Sequence, residues 1–270
     1  MQVDQQQRAA DFRALHEGEA FVVPNPWDAG SAKVFAALGF KALATTSAGF
    51  AFTLGRLDGG ATLDEVIEHT RVLAQSTSLP VSVDLENGYG PDPADAARAI
   101  DRAAGAGAVG GSIEDYDPEG RIYELDHAVE RVAAAAETAR GLGFPFTFTA
   151  RAENHIRGNP DLDDTIARLV AYERAGADVL YAPGLSSLDD IGAVVRAVAP
   201  KPVNVLVTSG FTSLAELTEL GVRRISVGSA LARSALTGFL AAAREIAEHG
   251  TFTILGRATP FAEMDKLFGA

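Results

Sequence analysis

Short apolar runs alternate with longer segments of helical periodicity along nearly the whole chain. Eight of these runs have the length and the flanking turn residues that are typical of strands. They are Phe21–Pro24, Lys41–Thr45, Val81–Glu86, Val109–Glu114, Phe146–Arg151, Asp178–Tyr181, Val203–Val207 and Arg224–Val227. Apolar residues three and four positions apart predict a helix after each run, although residues 46–61 read as a long loop before the helix that follows the second run.

Several helix boundaries carry signals of their own. Thr62 and Glu65 form a capping box at the start of one predicted helix, and Gly176 stands where another helix should end. A short polar helix is predicted before the first strand, and an amphipathic helix is predicted within Ala258–Ala270. Strands that alternate with helices in this way predict a parallel sheet covered by helices.

Eight consecutive βα units favour a closed (β/α)8 barrel, or TIM barrel, over an open doubly wound sheet. The length of 270 residues suits one such barrel, which typically takes about 250 residues. No linker rich in glycine, serine or proline divides the chain, and no GxGxxG motif follows the first strand. We therefore predict one barrel domain over residues 1–270, with an N-terminal helix and a C-terminal helical extension.

The composition argues against some classes of binding partner and indicates a cellular compartment. The formal charge is −13, which argues against nucleic acid and anionic membranes as partners. The chain has no cysteine, so disulfides, thiolate metal sites and a cysteine acid are excluded. No apolar run approaches the roughly 18 residues that cross a bilayer, and the N-terminus does not read as a secretory signal. These features predict a cytoplasmic protein.

The stretch VSVDLENGYG carries the first chemical signal. Asp84 and Glu86 are two residues apart, so on a strand they face the same side. Two adjacent carboxylates repel each other unless a cation or a shared proton lies between them. Mg²⁺ binds oxygen ligands of this kind, and the pair therefore predicts a metal site at the end of the third strand.

Further polar residues fall where other predicted strands end, which is the end at which barrel enzymes carry their active sites. They are Glu114, Asp115, Arg151, Glu153, His155, Asn204, and Asp58 in the loop after the second strand. Three carboxylates with one arginine fit a hydrated Mg²⁺ ion and a carboxylate substrate, because arginine binds a carboxylate through two parallel hydrogen bonds. The structural alternative is that these charged groups only pair with one another.

Six motifs occur in a characteristic order between Phe21 and the C-terminal tail: PNPWDAGSAKVF, TTSAGFAFTLGRLDG, VSVDLENGYG, GGSIEDY, FTARAENH and GADVLYAPGL. Together they resemble the isocitrate lyase/phosphoenolpyruvate mutase superfamily. The resemblance implies a (β/α)8 barrel whose last helix is exchanged between subunits of a homodimer or homotetramer. It also implies Mg²⁺, with Mn²⁺ as an alternative ion, and a small 2-oxo or hydroxy carboxylate that reacts through an enolate.

The resemblance assigns metal-site roles to four residues of this sequence. Asp84 matches the direct metal ligand. Glu86 stands where the family often has aspartate, and Glu114 matches its family position; both of these positions usually act through metal-bound water. Asp58 matches an acidic loop residue near the metal, so it joins the candidate catalytic residues.

The resemblance also implies a set of substrate contacts. Arg151 matches the arginine that binds the substrate carboxylate, and Glu114 is counted with it among the catalytic candidates. Thr46, Ser47 and Ala48 align with the loop whose hydroxyl and backbone amides hold the carboxylate and the oxyanion. Donors placed in this way lower the barrier where negative charge develops. Further candidates for substrate binding are Asn204 and His155.

The loop after the fourth strand departs from the family pattern. Lyases of the family carry a Lys-Arg-Cys-Gly-His lid there, and the mutases and phosphonopyruvate hydrolases place a lysine and an asparagine in it. This chain has YDPEGRIY over residues 116–123, without cysteine or lysine. Arg121, Tyr123 and His155 are the candidates for moving the proton or the leaving fragment.

The combined prediction is a Mg²⁺-dependent lyase that breaks or forms a C–C bond, with a P–C bond as the weaker option, next to a 2-oxo carboxylate. A phosphonopyruvate or oxaloacetate hydrolase and a mutase-like enzyme are alternatives that use the same site. Ser209–Gly210 and Gly228–Ser229 resemble phosphate-binding loops, which leaves a phosphate-binding barrel enzyme open. A non-catalytic binder of oxo acids, in which the lid chemistry has been lost, is a further alternative.

Overall fold

The computed structural model describes residues 4–269 and arranges them around an eight-stranded parallel sheet. The strands are β1 Phe21–Val23, β2 Leu43–Ala44, β3 Val81–Asp84, β4 Gly110–Glu114, β5 Thr147–Arg151, β6 Val179–Tyr181, β7 Val203–Leu206 and β8 Arg224–Ser226. Their spatial order is β1-β8-β7-β6-β5-β4-β3-β2. Across the remaining seam the Ala44 N–H donates to the Pro24 carbonyl at 3.1 Å. The sheet is therefore a nearly closed (β/α)8 barrel, which confirms the predicted fold.

Helices follow the strands and cover the outside of the barrel. They are α1 Gln5–Glu17, α2 Ala29–Ala37, α3 Ser47–Thr53, α4 Leu63–Ser76, α5 Pro93–Gly105, α6 Leu125–Gly141, α7 Leu162–Ala175, α8 Leu188–Val198, α9 Leu214–Glu219, α10 Ala230–His249 and α11 Phe261–Phe268. The predicted capping box is present, since the Thr62 N–H donates to the Glu65 carboxylate at 2.8 Å and Thr62 Oγ1 accepts from the Glu65 N–H at 3.4 Å. Gly176 ends α7 with φ at 110°, as its position predicted.

Helix α1 closes the N-terminal end of the barrel. Phe12 is fully buried and lies edge-on to Phe21 of β1 at 6.4 Å between ring centroids. A Cβ atom on Gly110 would come within 2.8 Å of the Phe12 ring, so glycine at the start of β4 lets the ring lie there. The opposite end, where the strands terminate in polar residues, is the one left open.

Helix α3 occupies a segment that the sequence predicted to be loop. It begins after Thr46, whose Oγ1 accepts a hydrogen bond from the Gly49 N–H at 3.2 Å. A Cβ atom on Gly49 would lie 2.5 Å from Thr46 Cγ2 and 3.3 Å from Trp27 Cβ, so this cap requires glycine. The helix has seven residues, too few for its periodicity to stand out, and it places residues 46–48 at the open end of the barrel.

Helix α10 contributes little to the buried core. Ala232 is its one buried residue out of 20, and five large apolar side chains on it are 37–65% exposed: Leu231, Leu236, Phe239, Leu240 and Ile246. Helix α11, which confirms the predicted C-terminal helix, packs against α2. No helix within residues 4–269 combines the length and the apolar character needed to span a membrane.

Candidate active site

A cavity of about 430 Å³ opens at the C-terminal ends of the strands. Its wall includes seven of the candidate residues: Thr46, Ser47, Ala48, Asp58, Asp84, Asn204 and Arg151, the last of which lies at the end of β5. The parallel sheet brings these residues together, because the carboxyl ends of all the strands meet at one face of the barrel.

Asp84 lies at the centre of the polar contacts in this cavity. Its Oδ1 accepts from Arg151 Nη1 at 2.9 Å and from the Glu86 N–H at 3.1 Å. Its own backbone N–H donates to Thr45 Oγ1 at 2.9 Å, and its Oδ2 lies 3.4 Å from the Ser47 N–H. Helix α3 and strand β5 therefore both hold the Asp84 carboxylate in place.

Glu86 reaches the same region by a route that the strand pattern did not predict. Strand β3 ends at Asp84, and Glu86 has a left-handed backbone with φ at 49°, so the alternation of a strand does not orient it. Its Oε1 accepts a hydrogen bond from the Tyr89 hydroxyl at 2.8 Å. Burial, with the charges of Asp84 and Asp58, raises the pKa of Glu86 to about 7.

Arg151 links three carboxylates. Its guanidinium lies 2.9 Å from Asp84, 3.0 Å from Glu114 and 2.9 Å from Glu153. Burial opposes its charge, but these three neighbours together raise the pKa of Arg151 well above its ordinary value. The guanidinium therefore stays charged, and it lies at the wall of the cavity.

A second guanidinium pairs with two of the three carboxylates that Arg151 contacts. Arg157, in the loop after β5, contacts Glu114 and Glu153 at 3.1 Å each and stacks on the ring of Tyr116 at 3.9 Å. Burial raises the pKa of both glutamates despite these two arginines. The two guanidiniums therefore do not fully offset the effect of burial on these two carboxyl groups.

The family model for phosphoenolpyruvate phosphomutase matches residues 12–247. The chain belongs to the isocitrate lyase/phosphoenolpyruvate mutase superfamily. A crystal structure from Burkholderia cenocepacia J2315, provisionally described as a lyase/mutase, is 54% identical, with a TM-score of 0.95 and coverage of 98% of this chain and 97% of that one. The superfamily membership makes this chain an enzyme of the lyase and mutase class.

Two further relatives carry more specific descriptions. The probable 2-methylisocitrate lyase 2 of Corynebacterium glutamicum is 31% identical over 225 residues, which span 80% of this chain and 68% of that protein. The structure of oxaloacetate acetylhydrolase in complex with the product oxalate is 27% identical, with a TM-score of 0.86 and coverage of 97% of this chain and 94% of that one. Similarity at this level extends over most of the chain and includes the barrel and its mouth.

The acidic cluster fits the Mg²⁺ ion that the superfamily implies, provided that most of the ligands are water. Four carboxylates, from Asp84, Glu86, Glu114 and Glu153, face the two guanidiniums of Arg151 and Arg157, so two negative charges remain when all are ionised. Within residues 4–269 no three His, Cys, Asp or Glu side chains converge closely enough to bind an ion directly. A site with Asp84 as its one direct protein ligand is consistent with both observations, since Mg²⁺ keeps several waters.

The lid candidates lie outside the cavity wall. Arg121 pairs with Asp117 at 3.0 Å and with Glu119 at 2.5 Å, and 70% of its side chain is exposed. Tyr123 lies under the Arg131 guanidinium at 4.7 Å from the ring centroid, and its hydroxyl accepts from Asn87 Nδ2 at 3.4 Å. Neither side chain contacts the acidic cluster in this arrangement of the loop.

The two further substrate candidates differ in their placement. Asn204 lines the cavity, but its Nδ2 donates to Ser226 Oγ at 3.0 Å and its Oδ1 accepts from Arg224 Nε at 2.9 Å. His155 does not line the cavity; its Nε2 is buried without a hydrogen-bond partner. Ile156, the next residue, is the one that reaches the cavity wall.

Three residues at the site were not among the sequence candidates. Asn25, after β1, accepts from the Val227 and Gly228 N–H groups at 2.9 Å each and so joins β8 to β1. Arg157 follows Glu153 by four residues, a spacing that would have indicated a helical-type ion pair. Arg224 has no signal beyond its charge on a buried strand, and its contacts across the barrel become visible only in the structure.

Proposed function

We propose that this enzyme is a Mg²⁺-dependent lyase that breaks or forms a C–C bond next to a 2-oxo carboxylate. The observation that carries this proposal is the cavity mouth, where Arg151 and the backbone of residues 46–48 surround Asp84. Oxaloacetate-like acids and 2-substituted malates are the expected substrates. Both the oxalate complex of the acetylhydrolase and the name of the corynebacterial relative are in line with such acids.

The protein's own groups account for the stabilisation of charge. Arg151 binds the carboxylate of the substrate, for which its planar guanidinium offers paired donors. The N–H groups of Ser47 and Ala48 stabilise negative charge that develops on the 2-oxo oxygen as the C–C bond breaks. Asp84 would hold Mg²⁺, with Glu86 and Glu114 orienting its waters; when bound, the ion supplies Lewis acidity at the 2-oxo group.

The direct test is turnover of a panel of acids. Oxaloacetate, 2-methylisocitrate, 2,3-dimethylmalate and phosphonopyruvate would be incubated with the enzyme, with and without Mg²⁺, and the products identified by NMR. The proposal predicts that the enzyme cleaves a C–C bond in at least one of the first three acids, and that this cleavage stops when EDTA is added. If none of these three acids is cleaved, or if EDTA leaves the cleavage unchanged, the proposal is contradicted.

A substrate that carries a phosphoryl group is the second candidate. Ser209, Gly228 and Ser229 line the same cavity as Arg151, and Arg233 joins them at its rim. These residues follow β7 and β8, where many barrels bind phosphate. Phosphonopyruvate turnover that inorganic phosphate inhibits competitively would favour this candidate over the C–C lyase.

We also propose that α10 is exchanged between subunits of a homodimer or homotetramer. The exposed apolar side chains of α10 would then be covered by a second copy of the chain, which is expected for a helix that leaves so much apolar surface uncovered. Replacing Phe239, which is 65% exposed, with aspartate should shift the protein to a smaller species in light scattering coupled to gel filtration. Val72→Asp, on the exposed side of α4, is the control and should leave the assembly unchanged. An unchanged mass for Phe239→Asp would contradict the exchange.

A further inference from the structure

A buried ion pair lies behind the candidate active site, between the ends of β4 and β5 and helix α7. Asp115 follows Glu114 at the end of β4 and is 3% exposed, and Arg168 of α7 is 8% exposed. Arg168 Nη1 lies 3.2 Å from Asp115 Oδ2, and neither side chain is part of the cavity wall. A buried ion pair is often no more stabilising than apolar residues in the same place, so its contacts were followed toward the site.

Arg168 holds two carboxylates, and each of them accepts a hydrogen bond from the segment that follows β5. Asp115 Oδ1 accepts from the Glu153 N–H at 2.9 Å. Arg168 Nε donates to Asp164 Oδ2 at 2.7 Å, and the same oxygen accepts from Asn154 Nδ2 at 2.6 Å. Glu153 and Asn154 are fully buried. Arg168 therefore holds two consecutive residues, through one aspartate each.

Asp115 is held by its backbone as well as by its carboxylate. The Tyr172 hydroxyl donates to Asp115 Oδ2 at 2.5 Å, and the Tyr123 N–H donates to the Asp115 carbonyl at 2.8 Å. Arg168 Nη1 also donates to the Tyr123 carbonyl at 2.8 Å. Both ends of the loop after β4 thus meet at Arg168, and Asp115 cannot shift without breaking several of these bonds.

Glu153 connects this network to Arg151. Its Oε1 accepts from Arg151 Nε at 3.0 Å and lies 2.9 Å from Arg151 Nη2, so it contacts one edge of the guanidinium through two donors. Its Oε2 lies 3.1 Å from Arg157 Nε. Because the donors of a guanidinium have a fixed planar arrangement, a contact with two of them determines how the group is oriented.

We propose that Arg168 is a positioning residue for Arg151. It acts through Asp115 and Glu153, so that the Arg151 guanidinium is already oriented in the free enzyme. This inference rests on the proposed function, in which Arg151 binds the carboxylate of the substrate. A displacement of about 1 Å caused by a change far from the reacting atoms can cost about 100-fold in rate, which is why such a remote residue can matter.

The test uses oxalate as the probe and measures binding rather than turnover. Calorimetry with Mg²⁺ present would compare the unmodified enzyme with Arg168→Met. We expect the affinity for oxalate to fall about 10- to 100-fold, the range for loss of a group that supports a binding residue. The affinity for Mg²⁺ without oxalate should stay unchanged, because Asp84 keeps its contacts with Thr45 and Ser47.

Arg8→Met is the matched control. Arg8 is also 8% exposed, but it lies on α1 at the closed end of the barrel, where its Nη1 donates to the Ala74 carbonyl at 2.8 Å. Its replacement should lower the free energy of unfolding and leave the affinity for oxalate unchanged. The comparison therefore separates loss of a buried guanidinium in general from loss of this one.

Two milder variants keep the test decisive if Arg168→Met does not fold. Arg168→Lys keeps the charge but not the planar set of donors, so it should retain part of the affinity for oxalate. Tyr172→Phe removes only the hydroxyl that donates to Asp115. It should lower the affinity in the same direction as Arg168→Met, by a smaller factor.

A double-mutant cycle tests the route through Glu153. Glu153→Gln weakens the contact with Arg151 directly, and Arg168→Met, or Tyr172→Phe in its place, weakens it from behind. Because both changes act on Arg151 through the same contact, their combined loss of binding free energy for oxalate should be smaller than the sum of the two separate losses. Purely additive losses would rule out this route.

The outcomes separate this inference from the proposed function. An unchanged affinity for oxalate in both Arg168→Met and Tyr172→Phe, or an equal loss in Arg8→Met, would leave Arg168 with a structural role alone and overturn the inference. The oxo-acid site would be intact in either case. Failure of oxalate to bind the unmodified enzyme with Mg²⁺ would instead contradict the proposed function, and this inference with it.

Discussion

Replacement of Asp84 by alanine is expected to abolish Mg²⁺-dependent turnover. Asp84 is the carboxylate that the polar contacts of β3, α3 and Arg151 converge on, and it is the proposed direct ligand of the ion. Loss of a residue that only supports a metal ligand typically costs 10- to 100-fold in affinity or activity. Loss of the ligand itself should therefore lower kcat/KM by more than about 100-fold, with a matching loss of Mg²⁺ affinity in calorimetry.

The control for this variant is Asp101→Ala, which removes an exposed carboxylate from α5 and should change neither quantity. Asp84→Asn keeps the size of the side chain and removes its charge. We expect it to behave like the alanine variant in Mg²⁺ binding, because a neutral amide attracts the ion less strongly. Full activity of either Asp84 variant would rule out the proposed metal site.

Replacement of Arg151 by methionine is expected to reduce both activity and stability. The substrate carboxylate loses its guanidinium partner, so KM should rise. The factor by which it rises should be nearly the same at different Mg²⁺ concentrations. Three carboxylates also lose their shared partner. Removal of one member of a buried ion pair typically costs about 3–5 kcal/mol in the free energy of unfolding, and a loss of this size is expected at pH 8.

The stability loss in Arg151→Met should shrink as the pH falls. The pKa values of Glu114 and Glu153 are already raised in the folded enzyme, and loss of the guanidinium raises them further. The folded variant then binds more protons than the unfolded chain, so its stability falls as the pH rises through these pKa values. Urea unfolding at pH 5.5 and pH 8 measures the difference.

The control for the stability measurement is Arg98→Met. Arg98 pairs with Asp95 on the surface of α5 at 2.7 Å, with about half of its side chain exposed (52%), and such pairs contribute about 1 kcal/mol or less. Its small effect should not depend on pH between 5.5 and 8. A loss in Arg151→Met that is no larger than this, or that grows toward acidic pH, would contradict the assigned ion pairs.

The fold followed from local signals wherever these signals were strong. The capping box at Thr62 and the glycine end of α7 at Gly176 are determined by a few neighbouring residues, and both are found as predicted. Helix α3 was missed because it is short and contains Gly49, whose packing against Thr46 and Trp27 is a tertiary contact. The left-handed backbone of Glu86 was missed because strand alternation describes only residues that continue the strand.

The candidate site was predictable in its location more than in its contacts. Strand ends of a parallel barrel meet at one face, so the placement of Asp84 and Arg151 at the cavity follows from their positions in the sequence. The partners of Arg151 do not, because Glu114 and Glu153 reach it through side-chain rotamers. Arg121 is an example of the limit: its charge made it a lid candidate, but pairing with Asp117 and Glu119 directs it to solvent.

A crystal structure of the enzyme with Mg²⁺ and oxalate would show the proposed site itself, because oxalate mimics the enolate of a 2-oxo acid. We expect an ion bound to one Asp84 oxygen and to oxalate, waters that link the ion to Glu86 and Glu114, and Arg151 bonded to an oxalate carboxylate. Oxalate bound away from residues 46–48, or an Asp84 carboxylate that still pairs with Arg151 while no ion lies beside it, would rule out the proposed metal and oxo-acid site.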